Sequence, residues 1–197
     1  MMESKLNLQK IFFICLYSLL CIAVNYLGAR FAAAANFPLY LDSILTISVV
    51  ALCGVIPGII CAVSTNMLMV IFMGSSPLYT LCHITTAVIA LLVFIHYKNK
   101  YPTEDLSVDA FLWVGFFSAI SNAILGNIIT DKVYGALTGL PQADTVAQAF
   151  FTAVHNRLFC IYTSGLIQNL TDKMISTLIS FIIYKNLTRL KNTSDRK

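Results

Sequence analysis

Eight polar side chains placed in or beside long apolar runs define the chemistry open to this chain. Asp42 stands in "FPLYLDSILTI", Asn66 in "AVSTNMLMVIF", and Asn122 and Asn127 in "SAISNAILGNIIT". Asp131 follows directly, and Gln168, Asn169 and Asp172 share "GLIQNLTDKMIS". These groups donate and accept hydrogen bonds and carry charge. The sequence has no HExxH, no GxSxG, no Walker A sequence and no phosphate-cradling glycine loop. Its only two glutamates, Glu3 and Glu104, fall outside the apolar runs, so no pair of acids is set for intramembrane proton transfer. His83 and His96 stand near the ends of apolar runs, where structural or interfacial roles are expected. No His, Cys, Asp or Glu cluster has metal-ligand spacing. The chemistry expected is recognition, not catalysis, with no cofactor and no metal.

The elements that must position these groups are membrane helices. Hydrophobic residues make up 58% of the 197 and charged residues 11%, and the mean hydropathy is +0.79. That is too little charge to cover a soluble domain. The fold class expected is all-α: a polytopic six-transmembrane-helix bundle forming one domain over residues 1–197. The spans are predicted at 11–28, from 41 to the "GVIPG" break, from there to 73, at 78–96, at 109–130 and at 165–184. A cleaved signal peptide is the rival reading of the first run, disfavoured because its apolar stretch is long and more spans follow at once. Five of the six cysteines (Cys15, Cys21, Cys53, Cys61 and Cys82) lie in apolar runs and read as small apolar filler; Cys160 lies in a more polar stretch.

Basic residues orient the bundle. With the N-terminus inside, the cytoplasmic segments hold Lys5, Lys10, Lys98, Lys100, Lys185, Arg189, Lys191, Arg196 and Lys197, whereas the outer segments hold only Arg30, Lys132, Arg157 and Lys173. This excess predicts both termini in the cytoplasm. A net charge of +4, scattered along the chain, gives no footprint for nucleic acid. Between the last two spans, Val146, Phe150, Val154 and Leu158 recur at helical spacing, and Thr145, Gln148, Thr152 and His155 lie largely on another face. The 145–164 stretch is expected to be an amphipathic outer helix, on the leaflet or folded as a lid. A further span is disfavoured, because His155, Asn156 and Arg157 would sit near its middle.

In this topology Asp42, Asn66, Asn122, Asn127, Asp131, Gln168, Asn169 and Asp172 converge on the outer half of the bundle from several helices. His155, Asn156 and Arg157 join them if the outer helix lies over the opening. Each asparagine is open to two roles, a helix–helix hydrogen bond or a ligand contact. Asp42 likewise either caps the second span or meets the ligand. Taken together the set suits an amphipathic solute arriving from outside. It does not suit an ion pore, because no helix carries a polar stripe across the membrane.

The stretch "FPLYLDSILTISVVALCGVIPGIICAVSTNMLMVIF" resembles the second and third helices of the substrate-binding S components of energy-coupling-factor (ECF) vitamin transporters, through Leu41, Asp42, Gly54, Pro57, Gly58 and Asn66. The closing "GLIQNLTDKMISTLISFIIYKNL" is similar to that family's last helix, which starts polar, includes a lysine and ends in a basic tail. The resemblance implies a multi-pass protein of the bacterial plasma membrane that captures a small water-soluble vitamin or metabolite. Its implied partners are a membrane coupling subunit and a pair of cytoplasmic ATPases. Two other readings stay open: a membrane sensory module that binds a ligand without transporting it, and a small stand-alone facilitator.

Overall fold

The computed structural model describes residues 2–135, 137–138 and 140–194, so Arg196 and Lys197 of the basic tail lie outside the described residues. Seven α-helices follow in order: α1 (Met2–Ala34), α2 (Thr46–Cys53), α3 (Val55–Met73), α4 (Thr80–Lys100), α5 (Val108–Lys132), α6 (Pro141–Val154) and α7 (Arg157–Ser194). Four stretches, Leu8–Ala34, Val55–Met73, Pro77–Lys100 and Val108–Lys132, are long and apolar enough to cross a membrane. They mark the chain as a helical membrane protein.

Local signals set several ends. Ser107 accepts a hydrogen bond from the Ala110 N–H and caps α5, with Asp109 in its first turn and Lys132 in its last. Gly74, in the left-handed region, closes α3. At "GVIPG" only Gly54, with φ +95°, leaves the helical path, whereas Pro57 and Gly58 already belong to α3. Proline is tolerated there because first-turn N–H groups have no helical partner.

Packing is inverted relative to a water-soluble domain. Exposed positions include Leu19, Phe31, Ile71, Trp113, Leu166 and Ile182, while Asn25, Asn66, Thr86, Ser118, Asp172 and Thr177 are buried. Apolar cores do form between helices. Ile47, Val50, Ala87, Phe94, Phe111 and Tyr184 make one, and Tyr17, Cys21, Leu45, Val49 and Cys61 another. The six cysteines are free, with Cys160 buried despite its polar neighbours in sequence.

The second predicted span differs most. Instead of starting near 41, α2 begins at Thr46 and has eight residues, about 12 Å of helix. Residues 38–43 have no helical turn, and their backbone groups need partners from elsewhere. The carboxylate oxygen Oδ1 of Asp172 accepts from the N–H groups of Tyr40 (3.1 Å) and Leu41 (2.6 Å). Leu41 sits at φ +49°, unusual for a branched side chain. Asn25 Oδ1 accepts from the Leu45 N–H at 2.9 Å, and the Ser180 hydroxyl donates to the Ile44 carbonyl. Gly28 brings α1 against this stretch: a Cβ there would lie 2.5 Å from the Leu41 carbonyl oxygen.

Other boundaries shift outward. The first predicted span lengthens to the 33 residues of α1 and the last to the 38 residues of α7. The 145–164 stretch is not one helix. His155, at φ +54°, ends α6, and Arg157 begins α7. With 14 residues, α6 is about 21 Å long and too short to span.

Candidate functional site

A cavity lies among α3, α4, α5, α6, α7 and the non-helical stretch before α2. Water centres can occupy ≈ 70 Å³ of it, several times the roughly 10–15 Å³ that one buried water requires. Six of the sequence-predicted residues line it: Asp42, Asn66, Asn122, Asn127, Gln168 and Asn169. The amphipathic character expected of a ligand has a counterpart in its walls, where Met69, Leu140 and Ile161 alternate with amides and hydroxyls.

At one wall lies a buried charge cluster. The Lys173 ammonium donates to Asp42 Oδ1 (3.0 Å), Ser43 Oγ (2.8 Å) and Asp172 Oδ2 (2.8 Å). His83 Nε2 stands 3.3 Å from Asp42 Oδ2. Asp172 is 0% and Lys173 3% exposed, so each charge must be balanced within the protein. Asp42 therefore does not cap α2: Leu45 occupies the cap position, and no side-chain cap bond forms. Its role is to pair with α7 and hold His83 on α4. Among the described residues no group of His, Cys, Asp and Glu is arranged to hold a metal ion.

The amides do two jobs. Asn66 joins α3 to the turn before α4, donating to the Ser76 carbonyl (3.2 Å) and to Thr80 Oγ1 (2.6 Å). Asn122 joins α5 to α4 through Thr86 Oγ1 at 2.9 Å, and Asn127 joins α5 to α7 through the Tyr162 carbonyl at 3.3 Å. Asn169 donates to the Gly165 carbonyl one turn back, at 2.8 Å. Gly165 makes room for Asn127, since a Cβ there would fall 2.0 Å from its Oδ1. Apart from the Asn169 bond, which stays within α7, these bonds tie one helix to another or to its leading turn, through residues that also line the cavity.

The cover is not where the spacing placed it. Leu140, Ala143, Asp144 and Ala147, from the start of α6, line the cavity. Asp144 Oδ1 accepts from the Thr138 N–H (2.7 Å) and hydroxyl (2.8 Å), folding the chain into α6. His155, Asn156 and Arg157, expected at the lid, are exposed at the far end of α6. Asn156 Oδ1 accepts from the Phe159 N–H at the start of α7. Arg157 pairs instead with Asp131, Nη2 to Oδ1 at 3.3 Å, and Lys132 pairs with the same carboxylate at 2.9 Å. Asp131 thus also lies outside the cavity lining, and Asp172 sits behind it as partner of Lys173 and the 40–41 backbone.

Residues not selected from the sequence complete the wall, notably Tyr40, Tyr79, His83, Thr130, Ser164 and Lys173. Lys173 carried a signal, since a lysine next to an aspartate inside an apolar run requires a counter-charge. Gln168 has a further role as a clasp. Its Nε2 donates to the Ala143 carbonyl at 2.8 Å, and its Oε1 accepts from the Tyr40 hydroxyl at 3.1 Å. Gln168→Leu is expected to release the start of α6. The bond to Ala143 is the one that reaches α6, and about 1 kcal/mol for it corresponds to roughly fivefold faster amide exchange in 140–147, read by hydrogen–deuterium exchange mass spectrometry. Unchanged exchange there would show that the cover is held by packing alone. No family model, curated protein or solved structure matches this chain, so its functional reading rests on this geometry and on the sequence.

Proposed function

We propose that this chain is the membrane-embedded, high-affinity substrate-binding subunit, or S component, of an ECF transporter, taking up a small water-soluble vitamin or metabolite with ATP hydrolysed by its partners. The observation that carries the reading is a cavity with mixed polar and apolar walls inside a helical shell whose outward side chains are apolar, covered by a segment of the chain itself. Such a site suits capture and release of a solute.

The topology belongs to the same proposal. Six crossings are made by α1, the 37–53 stretch containing α2, α3, α4, α5 and α7, with both termini in the cytoplasm of the bacterial cell and α6 at the outer surface. The bonds that Asp172, Asn25 and Ser180 make to the backbone of Tyr40, Leu41, Leu45 and Ile44 support the place of this stretch at membrane depth, where non-helical chain is tolerated only when buried in protein. The 38 residues of α7 make about 57 Å of helix, enough to cross ~30 Å of hydrocarbon and continue beyond it. Single cysteines introduced in the 101–107 loop and in the 145–153 helix should label from opposite sides of the membrane; labelling from the same side would overturn this arrangement.

Tagged protein purified from co-expressing membranes should bring down one membrane coupling protein and two ATPase subunits. Purified alone into liposomes, it should bind solute without accumulating it. Uptake against a gradient by this protein alone, driven by ATP or by protons, would defeat the subunit reading.

A further inference from the structure

Three residues lining the cavity hold acceptors that no donor reaches: Asn66 Oδ1, Asn122 Oδ1 and His83 Nδ1. Their side chains are buried, at 0%, 3% and 5% exposure. Leaving buried acceptors unpaired is costly, so their orientation carries information. That orientation is set by neighbours. The Asn66 amide nitrogen donates to a carbonyl oxygen, that of Ser76, and therefore cannot be exchanged with its own oxygen. The Asn122 nitrogen faces Thr86 Oγ1, whose hydroxyl proton goes to the Cys82 carbonyl at 3.1 Å. His83 Nε2 lies 3.3 Å from Asp42 Oδ2, and a proton held on that nitrogen beside the carboxylate leaves Nδ1 of the neutral ring as an acceptor.

The cavity also lacks a free positive charge. Lys173 is the only Lys or Arg among its described lining residues. All three of its N–H donors are engaged, by Asp42, Ser43 and Asp172. Two carboxylates surround that single ammonium, so an incoming carboxylate or phosphate would meet net negative charge and no unengaged cation. Asn66, Asn122 and His83 carry their unpaired acceptors in the same wall, so a donor that reached them would complete their hydrogen bonds.

We propose that the cavity takes a solute whose buried end is a compact, neutral or cationic hydrogen-bond donor, such as an amine, an amidine or an amino-substituted heterocycle, and rejects carboxylate and phosphate ends. This inference rests on reading the cavity as a ligand site and adds the substrate class. Benzamidine and benzoate test it directly, because they share shape and size but exchange donors for acceptors. Binding to purified wild-type protein in detergent, by equilibrium dialysis at millimolar concentrations, should favour benzamidine at least about tenfold. Asn122→Leu, which removes one waiting acceptor, should reduce that preference roughly two- to tenfold. The wild-type comparison decides even if this variant does not fold. Equal or tighter binding of benzoate overturns the donor class while leaving a ligand site in place. Binding of neither probe overturns it too, and co-purification of the coupling subunits then tells whether the transport reading survives.

Discussion

Lys173→Met should destabilise the folded protein by about 3–5 kcal/mol, the usual cost of removing one partner from a buried ion pair. The ammonium bridges Asp42 and Asp172, and without it two carboxylates face each other with no cation between them. The loss should appear as a large fall in the unfolding midpoint in mixed micelles, followed by reaction of buried Cys21, Cys61, Cys82 and Cys160 with a thiol dye. A neutral set made by Asp42→Asn, Asp172→Asn and Lys173→Met together should recover much of the loss, because it removes the charges that need balancing. Wild-type stability in the single variant would show that the cluster is solvated and that its geometry carries no energy.

Asp172→Leu should be at least as damaging, for a different reason. Asp172 Oδ1 serves the N–H groups of Tyr40 and Leu41, and hydrogen bonds to a charged acceptor are worth about 1.5–3 kcal/mol each. Losing both amounts to roughly 3–6 kcal/mol on that scale, and Leu41 has no helical partner to fall back on. Asp172→Asn keeps an acceptor oxygen and should retain more of the stability than Asp172→Leu by the same assay. Equal losses in the two variants would show that charge balance, not backbone satisfaction, is what Asp172 contributes.

Much of the architecture was legible because lipid imposes a simple rule. Apolar runs of sufficient length must be helices, since only a helix satisfies its own backbone without water. The runs now seen as α1, α3, α4 and α5 were found in this way. Their ends moved because charged and polar residues such as Lys98 and Lys100 extend α4 by a turn past the apolar stretch, at no cost in water. The second run misled for the opposite reason. Its composition suits a helix from 41 onward, but Asp172 and Asn25 offer its backbone an alternative set of partners.

The candidate site was half legible on the same grounds. Asp42, Asn66, Asn122, Asn127, Gln168 and Asn169 stood out as polar groups among apolar neighbours, and all six face the cavity. His155, Asn156 and Arg157 were placed by extending one helical period through a stretch that bends at His155. A residue in the left-handed region breaks the phase of everything after it, and no periodicity records that break.

By itself, then, the sequence determined the solvent, the helical class and the identity of most polar groups that must be hidden from lipid. Tertiary structure alone decided the pairing. Lys173 meets Asp42 across 131 positions of chain, and Asp172 holds backbone 131 and 132 positions away. Burial tells that a charge must be neutralised, but hydrogen bonds act over about 3 Å. Which partner stands within that reach depends on how the helices pack, and packing is a property of all their faces at once.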